Sequence, residues 1–317
     1  MVSPLVSVVV ICHNQGDYIL DALNSVLRQD YPVLEIIVVD NGSKDDSVDK
    51  IKTWLWMNDQ ERAVKTFVYE QPVNYCEAFN EALVSTQGDY VIDLSGDDVL
   101  GKEHISKSVQ TLREHPEAAL CSSNANLVNE NGTQIDTFFP VSQQGEILGK
   151  VPQGDVYERV IMRYCVCTPT VVFDAFKLKR IGGYNEGLVY EDFDILTRLA
   201  RKYPFAFSGH LGVNKRIHRG SFSRQQYRTR SSEMLVSTVE VCKNIAIMNR
   251  TASERKALIY RCMHEAKHAL GSANFEAAGE LLHLAESLGA SGLAIKLFRL
   301  WHGMKLDVSI LYEKLRR

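Results

Sequence analysis

The sequence predicts an α/β fold: a mostly parallel sheet with helices on both faces, followed by an all-helical segment. Three observations predict it. Residues Val6–Cys12 (VSVVVIC) and 34–39 (LEIIVV) are apolar at nearly every position, as strands buried on both faces are. Segments with helical spacing separate these runs from each other and from a third apolar run at 90–94. From about Gln226 the chain contains no proline and is rich in Ala, Leu, Glu and Lys, which reads as helix throughout.

Taken in order, the first strand is followed by Tyr18, Ile19, Ala22, Leu23, Val26 and Leu27 at helical spacing, and Pro32 closes that segment. The second strand ends at Asp40. Asn41-Gly42-Ser43 turns the chain into a helix whose apolar face holds Val48, Ile51, Trp54 and Leu55. A short strand at 67–70, a helix at 77–85 and the strand at 90–94 complete the regular part. Beyond Lys102 the spacing predicts a helix over 104–114 and a strand over 119–123, then a hairpin turn at Asn129-Glu130-Asn131-Gly132. Residues 140–154 hold two Pro and three Gly and read as a loop over the site. Next come a strand at 170–173 and a short helix at 176–181 ended by Gly182-Gly183. An amphipathic helix at 191–202 turns Phe193, Leu196, Leu199 and Ala200 inward. The remainder reads as four or five helices, with ends near Ala269-Leu270-Gly271 and Leu288-Gly289. The expected division is therefore an α/β domain over 1–225 and a helical domain over 226–317.

Composition narrows the function classes. A formal net charge of −3 offers no global attraction to nucleic acid, and none is expected as a partner. Seven Cys without a CxxC pair, and no leader pattern, read as reduced thiols in a cytoplasmic protein. No apolar run approaches the roughly 18–20 residues that span a bilayer. The absence of GxSxG, GxGxxG and GxxxxGK[ST] argues against an elbow-type hydrolase, a dinucleotide dehydrogenase and a P-loop NTPase. What stands out is Asp97-Asp98, directly after an apolar strand and a glycine. Carboxylates at the carboxyl end of a buried strand stand where open α/β sheets bind ligands. Two hard oxygen donors there suit Mg²⁺ or Mn²⁺ and, through the metal, a phosphate; an acid pair that merely forms a turn is the competing reading.

Four segments, at 6–46, 78–100 (AFNEALVSTQGDYVIDLSGDDVL), 182–202 (GGYNEGLVYEDFDILTRLARK) and 216–224 (RIHRGSFSR), together resemble the nucleotide-sugar-dependent glycosyltransferases of family 2, which share the GT-A fold. The resemblance implies an inverting transfer of a hexosyl or N-acetylhexosaminyl group. The donor is a nucleoside-diphosphate sugar, with UDP favoured, and the acceptor a hydroxyl of a glycan or lipid-linked sugar in surface polysaccharide biosynthesis. It also implies a divalent cation, Mn²⁺ or Mg²⁺, held by Asp97, Asp98 and His218. Carried over residue by residue, Cys12, His13, Asn14 and Asp40 line the nucleotide pocket. Asn80, Ser95, Asp97, Glu191 and Arg219 contact the donor, and Asp192 is the base. Two positions depart from the family's pattern: Ser95 stands where an acid is usual, and His13 where a Tyr is. Ser95 motivates a second reading, a catalytically silent nucleotide-sugar-binding subunit with the helical tail as its interaction module. The tail itself, Leu297-Phe298-Arg299-Leu300-Trp301 with Lys305 and the basic residues 314–317, is compatible with lying on the inner face of a membrane or joining two copies.

Overall fold

β1 (Val6–Cys12) is buried at all seven residues and lies between two parallel neighbours, as its uniform apolarity requires. In this computed structural model, which describes residues 3–58, 64–218 and 220–316, α1 (Ile19–Leu27) returns the chain to β2 (Leu34–Asp40). Likewise α2 (Ser47–Asn58) leads to β3 (Lys65–Val68), and α3 (Tyr75–Ser85) to β4 (Tyr90–Ser95). The strand order begins β3-β2-β1-β4, all parallel. The chain thus winds outward from β1 and then crosses back to its other side. The carboxyl ends of β1, β2 and β4 come together there, with Cys12 opposite Asp40 and Ile11 opposite Ser95, and such a reversal opens a crevice above the sheet. Val8, Val10, Ile36, Val38, Ile92 and Leu94 pack with Ile19 and Leu23 of α1 in the main apolar cluster. Burying each such aliphatic side chain contributes about 1.5–3 kcal/mol.

The second half of the sheet departs from the expectation. Here follow β5 (Val99–Leu100), α4 (His104–Glu114), β6 (Leu120–Val128), β7 (Gln134–Thr137), α5 (Tyr157–Met162), β8 (Val172–Asp174), α6 (Ala175–Arg180), α7 (Asp192–Ala200) and β9 (Ala206–Arg216). β8 is antiparallel to both β4 and β6, β5 is antiparallel to β9, and only β6–β9 is parallel. The sheet is mixed, parallel in its first half only, because the later strands are not each preceded by a crossover helix. β6 also runs five residues past the expected end at 123: Ser122, Ser123 and Asn124 are buried, and polar residues inside a strand hide it from an apolar-run reading. Asn124 is satisfied there, its Oδ1 accepting from Phe139 N and its Nδ2 donating to Phe139 O. β3 begins two residues before the expected position, since its pairing with residues 37–40 of β2, not its composition, sets its limits. The hairpin turn is as expected: Asn129 Oδ1 accepts from the amides of Asn131 and Thr133, and Gly132 has φ +78°.

His104, at the start of α4, is fully buried and lies 3.2 Å from Nε2 of His210, whose Nδ1 meets Ser208 Oγ at 2.8 Å. Burial pushes His104 down to about 3 and His210 down to about 4, with Lys107 adding to the latter and Glu103 opposing it. Both rings are therefore neutral in the fold, whereas the unfolded chain protonates them near 6.5. The unfolded state binds more protons below that value, so stability should fall as pH drops from about 6.5 towards 4. Melting temperatures across this range should show that slope, and His104→Leu should flatten it.

Contacts divide the chain into two compact units. The first comprises Met1–Val156, Cys165–Glu186 and Arg198–His218; the second comprises Tyr157–Tyr164, Gly187–Thr197 and Arg219–Arg317. A single cut at 225/226 does not describe this, because α5 and the first six residues of α7 group with the C-terminal helices. Those helices are α8 (Glu233–Met248), α9 (Ala252–Gly271), α10 (Phe275–Ser287), α11 (Leu293–Met304) and α12 (Ser309–Arg316). Thr251 and Glu254 close a capping box at the head of α9. Within the second unit Arg261 and Glu265 form a buried ion pair at 2.9 Å, and the guanidinium lies 4.0 Å from the Phe193 ring centroid. All seven cysteines are free and buried.

Candidate functional site

The crevice above β1, β2 and β4 is built by three strand ends and the turns that leave them. Asp40 ends β2 and is buried. Its Oδ2 accepts the Ser43 amide at 3.0 Å, while its Oδ1 is buried without a hydrogen-bond partner. A buried carboxylate oxygen lacking a donor marks where a ligand N–H or O–H belongs. The turn after it is rigid. Asn41 exchanges two bonds with Val73, and a Cβ on Gly42 (φ +69°) would meet the 71–72 backbone at 2.4 Å.

Of the residues expected from β1, Cys12 does not line the crevice. Its thiol is wholly buried in the apolar cluster and pushed up to about 11 by that burial, because strand alternation puts it on the face of Val8 and Val10. Asn14, in the left-handed region (φ +51°), braces the turns by accepting from Lys44 N at 2.8 Å and donating from its own amide to Ser43 Oγ. His13 remains exposed. Its Nδ1 lies 2.7 Å from the Asn41 carbonyl, which only accepts, so the ring proton sits on Nδ1 and Nε2 accepts from Asn14 Nδ2. A fixed, exposed ring is suited to stacking on a flat base.

At the end of β4, Ser95 Oγ donates to Asp97 Oδ1 at 2.5 Å and accepts from Gln15 Nε2 at 3.3 Å. The other oxygen of Asp97 lies 2.9 Å from Nε2 of His218, just past β9. Asp98 does not join them. It is buried, its Oδ1 accepts the Arg216 amide at 2.8 Å, and burial together with the neighbouring Asp97 charge pushes it up to about 8. That geometry makes Asp98 a brace for β9. Among the described residues no group of three or more His, Cys, Asp or Glu is placed to hold a metal; of the expected Asp97–Asp98–His218 set, the structure brings Asp97 and His218 together and turns Asp98 away. Two protein donors fit a cation that completes its shell with phosphate oxygens and water, as Mg²⁺ and Mn²⁺ do.

Arg216, which composition did not single out, holds this corner together. Nearly buried, it donates from Nε to the Asp97 carbonyl and from Nη1 to the Glu130 carbonyl, and it lies 4.5 Å from the Tyr18 ring centroid. Asp93 was also missed, although an acid at an apolar strand position in YVIDLS was a signal. It accepts the hydroxyls of Tyr75 (2.7 Å) and Tyr184 (2.9 Å). Asn80 is spent on structure: its amide donates to Tyr184 O and Glu186 Oε1, and its oxygen accepts Tyr184 N. It fastens the 184–186 loop to α3 and keeps no donor for a substrate. Arg219 lies outside the described residues.

Glu191, Asp192 and Asp194 belong to the second unit. Asp192 opens α7, where the free amides and the helix dipole favour a carboxylate. Its Oδ1 is buried without a partner, and Tyr164 donates a long 3.4 Å bond to its Oδ2. Glu191 and Asp194 are both engaged. Of the three acids, Asp192 therefore has the oxygen waiting for a proton donor.

Comparison with known proteins follows the same lines. Residues 7–160 match the family model described as glycosyl transferase family 2. Over 171 residues the chain is 33% identical to TuaG of Bacillus subtilis (strain 168), a glycosyltransferase provisionally assigned to teichuronic acid biosynthesis; the match covers 54% of this chain and 62% of TuaG. Against a Rickettsia conorii glycosyltransferase the coverage is 68% of this chain and 34% of the relative, at 25% identity. The chain thus spans less than two thirds of these curated relatives. Among solved structures, S. aureus TarS 1–349 in complex with UDP-GlcNAc superposes with a TM-score of 0.72 at 18% identity, covering 98% of this chain and 91% of TarS 1–349. The mannosyltransferase PcManGT from Pyrobaculum calidifontis, in complex with GDP-Man and Mn²⁺, gives 0.59 at 16% identity over all of this chain and 87% of its own. At these identities the structures establish a shared fold: a GT-A-like α/β sheet followed by helices.

Proposed function

Since residues 7–160 of the chain match the model of glycosyl transferase family 2, we propose that the chain is a member and transfers a sugar from a nucleoside diphosphate to the hydroxyl of a glycan or lipid-linked acceptor, in the biosynthesis of a surface polysaccharide. One observation carries this reading. At the strand ends on either side of β1, the unpartnered oxygen of Asp40 and the Asp97–His218 pair offer an acceptor for a nucleoside donor group and a seat for diphosphate charge. UDP is the favoured nucleotide. TarS, of the same fold, is seen with UDP-GlcNAc, and TuaG points to an acceptor of the teichuronic kind.

Asp40 receives a base or ribose donor while His13 stacks on the base. Ser95 supplies what the usual acid would not: its hydroxyl fixes Asp97 in one rotamer, leaving Oδ2 turned to His218. A divalent cation on Asp97 and His218, when bound, supplies charge neutralisation for the departing diphosphate. Asp192 takes the proton of the acceptor hydroxyl as that oxygen bonds to the anomeric carbon. One displacement with one base inverts that carbon. Thermal-shift measurements with UDP-, GDP- and dTDP-sugars, with and without Mn²⁺, test the reading. Stabilisation is expected with UDP-sugars and should be larger with Mn²⁺; no response to any nucleotide sugar would sink it.

A further inference from the structure

The second unit carries an apolar surface that its own packing leaves open. On α11, Leu293, Leu297, Leu300 and Met304 are 72, 52, 59 and 59% exposed. Their spacing of four, three and four residues lines them along one helix face. The opposite face is the one that docks: Ile295 is buried, and His302 lies against Gly279, its Nε2 3.0 Å from the Phe275 carbonyl. α12 repeats the arrangement. Tyr312 packs on Gly271 with its hydroxyl 2.7 Å from Nδ1 of His268, while Ile310, Leu311 and Leu315 are 73, 60 and 78% exposed. Seven large apolar side chains on two consecutive helices are thus held outward by anchored inner faces.

Charge decides what covers them. Residues 293–317 contain six Lys or Arg against two Asp or Glu, in a chain whose net charge is −3. Both acids are engaged within the unit, Asp307 by Arg230 and Glu313 by Thr229. Lys296, Lys305 and Lys314 stand exposed, and Lys314 falls between Ile310 and Leu315 on the apolar side of α12. Lysines within or beside an exposed leucine face can extend their ammonium groups to a headgroup layer while the aliphatic side chains enter the acyl boundary. A second copy would bring the same positive charge against itself.

We propose that the α11–α12 face binds an anionic lipid surface, holding the protein peripherally on a membrane. The inference is independent of the sugar-transfer chemistry. Its test is sedimentation of the full chain with vesicles of phosphatidylcholine alone or containing roughly one third phosphatidylglycerol. Binding to the anionic vesicles is expected, with much weaker binding to the neutral ones. Replacing Lys296, Lys305 and Lys314 together by Gln should weaken it about a hundredfold, and Leu297→Glu with Leu300→Glu should abolish it. Circular dichroism should show all these exposed-site variants folded, and their thermal response to UDP-sugar should match the parent's. Failure to bind anionic vesicles, or equal binding to both kinds, would overturn the proposal. So would a concentration-dependent dimer, seen by gel filtration and dissociated by Leu300→Glu, without vesicle binding.

Discussion

Asp97→Asn is expected to lower kcat/KM for sugar transfer about a thousandfold while the protein stays folded. The side chain lies at a strand end outside the apolar cluster, with side-chain exposure of 12%, and an isosteric amide should leave the fold intact. What the substitution removes is the negative oxygen facing His218 at 2.9 Å. An amide there carries no charge to share with a divalent cation, even where it keeps the bonds to Ser95 and His218. The loss should appear in steady-state rates at saturating Mn²⁺, alongside an unchanged melting temperature in the absence of ligand. Activity within tenfold of the parent would assign the diphosphate to another part of the chain.

Asp192→Asn should cost a comparable factor, about 10²–10⁴ in kcat, with nucleotide affinity unaltered. The asymmetry between the two variants is the informative part. On the proposed roles, Asp97, in donor binding and departure, should change both nucleotide affinity and rate, whereas Asp192, as the acceptor's base, should change rate alone. Its partner-free buried oxygen singles it out from Glu191 and Asp194. This variant also separates the transferase from a silent nucleotide-sugar-binding subunit, since a silent protein would lose nothing. Ser95 gives the silent reading little support, because its hydroxyl orients Asp97 rather than leaving the position empty.

Much of the fold was legible where local spacing and helix-ending glycines obey simple rules. β1 and α4 have the limits their spacing predicts, and Gly182 (φ +87°) and Gly289 (φ +100°) stand just past helix ends where expected. Legibility failed where long-range pairing overrides local pattern. The buried serines and asparagine of β6 make no apolar run, and the antiparallel turn of β8 has no local signature. Units built from discontinuous segments, such as α5 grouping with residues 219–317, leave no mark at any one position.

The site followed the same division. That acids stand at the ends of β2 and β4, and a histidine just past β9, could be read from their neighbours in sequence. Which way a side chain turns could not: Cys12 faces the core, Asn80 ties down a loop, and Asp98 braces β9. Arg216 and Asp93 were missed because a lone charge in a strand becomes meaningful only with its partners in view.

The central claim is that a nucleoside diphosphate sits across the ends of β1, β2 and β4. Calorimetric titration of UDP, in the presence of Mn²⁺, into the parent protein and Asp40→Ala tests it most directly. The account predicts micromolar binding by the parent and at least a tenfold weakening in the variant, about 1.4 kcal/mol or more. Equal affinity in the two proteins, or no binding of UDP, GDP or dTDP by the parent, would contradict it.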